Sequence, residues 1–166
     1  MRRLLTFVIV TALAVAVVPT AVAQGSSTAT QDVTINVPEI SVIGVSGGGV
    51  TFDFTSSDVT AGNSTASQTQ QESYALFTNA SNVKVTGQLG TEYSTGIKLF
   101  VNLSAPSSGG ASQNQVELTT TEADLVTSIG PTAAGNINLE YTAEITPDAS
   151  PNSGSTETVT YTVTAN

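Results

Sequence analysis

The sequence lacks cysteine, histidine and tryptophan, and the first two absences exclude several kinds of chemical site. A chain without cysteine forms no disulfide, no iron–sulfur cluster and no thiolate nucleophile. Without histidine it also lacks the base of a Ser-His-Asp triad, and the two absences together remove the usual zinc ligands. The 166 residues must therefore be held together by an apolar core and by hydrogen bonds between strands.

Positive charge is almost as scarce. Four lysine and arginine residues stand against 13 aspartates and glutamates, which gives a net charge of −9. Removal of Arg2 and Arg3 with an N-terminal segment changes −9 to −11 and leaves Lys84 and Lys98 as the only cations. Nucleic-acid binding needs a basic surface that displaces counterions from phosphates. We therefore expect no nucleic-acid partner.

The N-terminus has the organisation of a secretory signal peptide. Arg2 and Arg3 precede an apolar run over 4–18, and Ala21-Val22-Ala23 forms a small-residue cleavage site before Gln24. The run is shorter than the roughly 20 residues of a membrane-spanning helix. We expect a signal-peptide helix within residues 1–23 and a secreted or cell-surface, extracytoplasmic product. No membrane insertion is expected after cleavage.

The remaining chain divides into a short leader and one domain. Residues 24–31, QGSSTATQ, are small and polar and predict a flexible leader. Residues 32–166 are rich in Thr, Val, Ser and Gly, a usage that favours strands and turns over helices. We expect 32–166 to form a single β-sandwich domain.

Alternation of apolar and polar residues marks the strands. The clearest case is 135–146, where Ile137, Leu139, Tyr141, Ala143 and Ile145 are predicted to point inward. Further strands are predicted at 32–42 (interrupted by Pro38), 50–55, 72–78, 83–89, 97–103, 116–118 and 158–164. The stretch 121–129 fits either a strand or one helical turn, and long polar loops are expected at 56–69 and 105–115.

This pattern predicts an all-β fold, an antiparallel immunoglobulin-like β-sandwich of about eight or nine strands. The half-polar alternation argues against a parallel sheet, whose strands are apolar on both faces. A closed barrel is the alternative.

The acidic residues offer candidates for chemistry, each with a simpler interpretation. Glu140 and Glu144 share one strand face and are considered as a hydrolytic pair, but a solvated face has the same pattern. Calcium sites are considered at three pairs, namely Asp53 with Asp58, Glu122 with Asp124, and Asp148 with Asn152. Solvated turn acids are favoured at all three. We assign no catalytic, metal or cofactor-binding residue, expect no cofactor, and expect that the protein is not an enzyme.

The aromatic residues raise the question of a ligand surface. Phe52, Phe54, Tyr141 and Tyr161 are interpreted as core. Tyr93 and Phe100 either form a small exposed patch or pack beneath loops, and packing is favoured.

The final residues ETVTYTVTAN, 157–166, form a strand that is uncharged after Glu157. Such a strand is an aggregation hazard unless it is paired. Burial in its own sheet is favoured. The alternative is strand exchange between subunits, with the segment 32–42 as the donor.

Together, the signal peptide, the acidic Cys-free sandwich, the strand DVTINV and the closing strand TVTYTVT resemble secreted bacterial surface β-sandwich proteins. That group includes pilin-like and spore-coat-like subunits, although this chain lacks the paired cysteines that many such pilins carry. The resemblance implies a structural or adhesive role and transfers no catalytic residue. We expect a secreted, non-enzymatic structural or surface protein, with itself by strand exchange or other cell-surface components as partners. A monomeric extracellular glycan- or ligand-binding module is the alternative.

Overall fold

The computed structural model describes residues 25–152 and 154–166. The predicted signal peptide and its helix, 1–23, lie outside the described residues. The chain divides into two compact units, Met1–Asn36 and Val37–Asn166. In the first unit, residues 25–36 form no helix or strand and are exposed.

The second unit contains nine strands. They are β1 Ser41–Val45, β2 Ala66–Thr78, β3 Val83–Leu89, β4 Ile97–Leu103, β5 Ala111–Ser112, β6 Gln115–Glu117, β7 Ala123–Ile129, β8 Thr132–Ile145 and β9 Val159–Ala165. The described residues contain no helix. The prediction of an all-β chain is confirmed.

The strands form two antiparallel sheets. The five-stranded sheet has the order β1-β2-β8-β4-β6, and the four-stranded sheet has the order β5-β7-β3-β9. β1 and β2 are neighbours in the five-stranded sheet, and every strand from β3 to β9 lies in the sheet opposite to that of its predecessor in the sequence. This arrangement confirms an antiparallel β-sandwich.

The core lies between the sheets and follows the predicted alternation. In β8 the inward residues Ile137, Leu139, Tyr141 and Ala143 are all buried, and the intervening residues are not. The same alternation buries Leu99, Val101 and Leu103 in β4, while β3 buries Val83, Val85 and Leu89. Apolar side chains at every second position therefore meet across the sandwich.

Several predicted boundaries are wrong. Residues 32–40 form no strand, and β1 starts only at Ser41. Pro38 has no N–H to donate, and residues 32–40 take part in no strand pairing among the described residues. Residues 50–55 also form no strand, although Val50, Phe52 and Phe54 do pack against the core as their alternation predicts.

Strand β2 begins six residues before its predicted start at Glu72, inside the predicted loop 56–69. Its first half is polar because Gln68 faces the segment around Asp53, whose carbonyl accepts a hydrogen bond from Gln68 Nε2 at 2.9 Å. The ambiguous stretch 121–129 is resolved as strand β7. The predicted loop 105–115 contains the two-residue β5 and the first residue of β6.

Gly96 closes the connection into β4. It has φ +86°, and a Cβ built there would lie 2.3 Å from the backbone nitrogen of Ala149. Its carbonyl accepts a hydrogen bond from Thr146 N at 2.8 Å, which joins this turn to the end of β8. The position therefore requires glycine on two grounds, backbone conformation and space.

We expect Gly96→Ala to lower the free energy of unfolding by about 2 kcal/mol or more, since it adds left-handed strain to a backbone clash. Urea unfolding measures this loss. Gly135→Ala is the matched control, because no atom lies within 4 Å of its added Cβ. Equal stabilities for the two variants would contradict this account of Gly96.

Candidate functional site

Strand β9 occupies an edge of the four-stranded sheet. It pairs with β3 along its whole length, from Leu89 opposite Val159 to Val83 opposite Ala165. No strand within 25–152 and 154–166 pairs with its other side, which we call the β9 edge. At the far side of the sandwich the edge strands are short: β5 has 2 residues and β6 has 3. The two sides of the sandwich therefore differ. Short edge strands limit pairing with other chains, whereas β9 has 7 residues and is long enough to pair.

The register shows which backbone groups point toward the β9 edge. At one end of the ladder Asn166 N donates to Asn82 O at 3.1 Å, and at the other Gly90 N donates to Thr158 O at 2.8 Å. Even-numbered residues of β9 therefore exchange hydrogen bonds with β3, since hydrogen-bonded pairs alternate in an antiparallel ladder. The N–H and C=O groups of the odd-numbered residues point toward the β9 edge. These residues are Val159, Tyr161, Val163 and Ala165.

The side chains of β9 separate by face. Val159, Tyr161 and Val163 are half-buried and pack against the core, and the threonines between them are exposed. No charged residue follows Glu157 in the sequence. The β9 edge therefore combines free backbone groups, a partly exposed apolar side and no charge that would repel a neighbouring strand.

A tyrosine pair fixes β9 to the opposite sheet. Tyr161 in β9 donates its phenolic hydrogen to the Tyr141 oxygen in β8 at 2.7 Å. Burial raises the pKa of Tyr161 far above its usual value, and the donated hydrogen bond adds to the rise. Burial also raises the pKa of Tyr141, with a smaller contribution from the carboxylate of Glu72. Both phenols are therefore neutral hydrogen-bonding groups in the folded protein.

A groove lies where β9 and β1 approach each other. Its volume is about 400 Å³, and it is lined by Glu39 and Ser41 on the β1 side and by 163–166 of β9. Residues 80–83 form its floor. Most residues that line the groove are polar, and its β9 side is the C-terminal end of that strand with Asn166.

An exposed apolar surface lies on the outer face of the five-stranded sheet. Val42 is 58% exposed and Phe77 is 48% exposed, and the two are cross-strand neighbours. Phe77 also pairs with Ala133, and Ala75 completes what we call the outer patch. The sequence analysis missed this patch because Phe77 belongs to a strand whose two faces both carry apolar residues.

The candidate acids lie apart from one another. Glu140 accepts a hydrogen bond from Gln71 on the outer face of the five-stranded sheet, where Glu144 lies opposite Lys98. Asp58 accepts bonds from Thr55 N at 2.7 Å and Thr55 Oγ1 at 2.8 Å, and these bonds lower the pKa of the Asp58 carboxyl.

Three further residues considered for calcium have local partners. Asp124 pairs with Lys84 at 2.7 Å, and Glu122 accepts a hydrogen bond from Thr86. Asn152 Oδ1 accepts from Gly154 N at 3.0 Å. Within 25–152 and 154–166, no three acidic residues converge in a way that would hold a metal ion.

Tyr93 and Phe100 are both half-buried and do not form a common patch. Tyr93 packs against the core, where burial and the negative charge of Glu157 raise its pKa. Phe100 lies on the outer face of the five-stranded sheet, beside Glu117 and Thr142.

Searches for related proteins give no match: no family model, no curated protein and no solved structure is similar to this chain. In the described part of the chain, no helix has the length and apolar character needed to cross a membrane.

We expect Tyr161→Phe to cost about 1 kcal/mol of unfolding free energy, because Tyr141 loses its hydrogen-bond donor. Tyr141→Phe should cost about 1–3 kcal/mol, because it leaves the buried Tyr161 hydroxyl without its acceptor. A double-mutant cycle by urea unfolding measures the coupling. Additive single losses would contradict a direct interaction between the two hydroxyls.

Stability should fall at high pH. Burial raises the pKa of Tyr74 from 10.0 to about 12, and its hydroxyl donates to Ser104 O at 2.6 Å. The unfolded chain loses this proton first, so the stabilisation is complete below pH 10 and is lost as the pH rises toward 12. Urea unfolding between these limits measures the slope, which reaches about 1.4 kcal/mol per pH unit for one such group. Tyr74→Phe should be less pH-dependent, and an unchanged slope would contradict the assignment.

Proposed function

We propose that this protein is a secreted, non-enzymatic structural or surface subunit that assembles with copies of itself. The observation that carries the proposal is the β9 edge, which is seven residues long, uncharged and unpaired among the described residues. An edge of this kind is a template for pairing with another chain, and soluble proteins commonly blunt or cover it. Here the opposite side of the sandwich is blunted and this side is not.

The chemistry of the described residues supports a role without catalysis. Several of the considered acids, such as Asp58 and Asp124, are engaged in local hydrogen bonds or ion pairs. Secretion follows from the sequence of residues 1–23 and belongs to the same proposal. The resemblance to pilin-like and spore-coat-like subunits is consistent with it at the level of overall pattern.

The subtype of the sandwich is also part of the proposal. The sequence predicts an immunoglobulin-like sandwich, in which some consecutive strands are neighbours in one sheet. From β2 onward, each consecutive strand here changes sheet. That order is closer to a double-sheet jelly roll, and we favour this subtype.

A second candidate function is a monomeric extracellular ligand-binding module, and the outer patch favours it. Val42, Ala75, Phe77 and Ala133 border a shallow depression of about 460 Å³ with an almost wholly apolar surface. A patch of this kind serves either a ligand or a lateral contact between subunits. The oligomeric state distinguishes the two functions.

We expect the secreted chain, residues 24–166, to form assemblies that grow with salt concentration. Each subunit carries a net charge of −11 after loss of Arg2 and Arg3, so low salt leaves strong repulsion between subunits. At about 0.1 M salt the screening length falls to about 10 Å and pairing of the uncharged edge prevails. Size exclusion with light scattering, followed by electron microscopy, measures this. A monomer at every salt and protein concentration would contradict the proposal and favour the binding module.

A further inference from the structure

We infer that the segment Asp32–Val37 of one molecule pairs as an added strand with the β9 edge of a second copy. This inference rests on the proposed self-assembly and names the two surfaces that form its interface. It commits to one occupant, a segment of the same chain that has a strand pattern and no strand partner among the described residues.

The donor segment exposes alternate apolar side chains. Val33 is 77% exposed, Ile35 is 80% exposed and Val37 is 70% exposed, and Thr34 and Asn36 lie between them. β-Branched residues at every second position are typical of a half-buried strand. None of the three is buried among the described residues, so their apolar side chains are available to a second copy.

The segment has a defined end. Pro38 has no N–H, and its carbonyl accepts a hydrogen bond from Asn79 Nδ2 at 2.8 Å. Ile40 N donates to Asn79 Oδ1 at 2.7 Å, so the chain is attached to the sandwich from Pro38 onward. Strand pairing by the donor must therefore stop at Val37.

The β9 edge is complementary to this donor. Val159, Tyr161 and Val163 are spaced like Val33, Ile35 and Val37, at alternate positions over five residues. Their N–H and C=O groups point toward the edge, so an added strand would satisfy them. An added strand that faces the same way would place its apolar side chains next to Val159, Tyr161 and Val163, which pack against the core.

Length and side-chain character favour β9 over the other long edge, that of β1. Asp32 is the only charged residue of the donor segment, and β9 has none, so pairing buries no pair of like charges. β1 has 5 residues against 7 in β9. The inward face of β1 includes the polar Ser41, which bonds to Thr78 and offers no apolar contact to a donor.

Cysteine crosslinking tests the pairing directly, because the chain contains no other cysteine. Thr34→Cys is combined in turn with Thr160→Cys, Thr162→Cys and Thr164→Cys. Three positions are used because the register of the donor segment against β9 is to be determined. The backbone groups of these β9 threonines bond to β3 and not toward the β9 edge, so each would form a non-hydrogen-bonded pair with an added strand. Side chains come closest at such pairs, and a disulfide fits there. Non-reducing electrophoresis and mass spectrometry of the secreted chain identify the products.

We expect a ladder of intermolecular crosslinks for at least one of these pairs. Thr34→Cys with Thr69→Cys is the matched control, since Thr69 is equally exposed but lies on β2, inside the five-stranded sheet. A crosslink at monomer mass would mean closure onto the same molecule and would overturn the inference. Thr34→Cys is also combined with Val42→Cys on β1. A ladder of crosslinks with this pair alone would overturn the inference as well.

A peptide assay separates this inference from self-assembly as such. The full secreted chain with Val33→Thr, Ile35→Thr and Val37→Thr serves as an acceptor that cannot donate. We expect it to bind a fluorescent peptide of residues 30–38 by strand addition, measured by anisotropy. Val163→Pro in this acceptor should weaken binding at least about tenfold, because it removes an N–H that points to the β9 edge and keeps the ladder with β3.

Ile43→Pro is the matched control on the β1 edge. Asn79 N donates to Ile40 O and Ser46 N donates to Ser73 O, so the even-numbered residues of this segment exchange hydrogen bonds with β2. The N–H of Ile43, an odd-numbered residue, therefore points away from β2 toward the free edge of β1. We expect it to retain peptide binding, and unfolding curves verify that both proline variants fold. Loss of binding in Ile43→Pro with retention in Val163→Pro would overturn the choice of β9.

The two failures are distinguishable. In one case the wild-type chain assembles, but the acceptor binds no peptide and no crosslinked ladder forms. That result would overturn this inference and leave self-assembly intact. Peptide binding to the acceptor with a wild-type chain that stays monomeric would support the pairing and contradict the structural-subunit function.

Discussion

The pairing of β8 with β2 on one side and with β4 on the other is the interaction on which the rest of the sandwich depends. β8 has 14 residues and is paired along both edges, so its register is determined twice. A slip of one residue would carry Glu140 and Glu144 into the core and expose Leu139 and Tyr141. The alternation of β8 therefore sets the inner face against which the other sheet packs, without disulfides.

The second sheet is attached to this face at its edge strand by Tyr161, which donates to Tyr141 of β8. β9 is thereby held by β3 along one side and by a buried hydrogen bond beneath it, while its other side has no strand neighbour among the described residues. The same strand completes the core and presents free backbone groups. The proposed assembly uses this combination, because a firmly held edge is a better template than a mobile one.

Much of the fold could be predicted from alternation. β3, β4, β8 and β9 lie close to their predicted bounds and bury the predicted faces. The first half of β2 was missed because its inward positions carry Gln68, Gln70 and Glu72, which break the apolar period. The candidate site was predictable only in part. The uncharged final strand was visible in the sequence, whereas its position at an edge and its bond to Tyr141 were not.

By itself, the sequence determined which chemistries are excluded, which residues can face a core, and that both 32–37 and the last strand have a strand pattern. Only the tertiary structure decided which of these strands receives a neighbour. Strand order depends on contacts between residues far apart in the chain, such as Tyr141 with Tyr161 or Asn82 with Asn166, and alternation within a strand carries no information about them. For that reason a similar alternation became a paired strand at 159–165, whereas 32–37 forms no strand among the described residues.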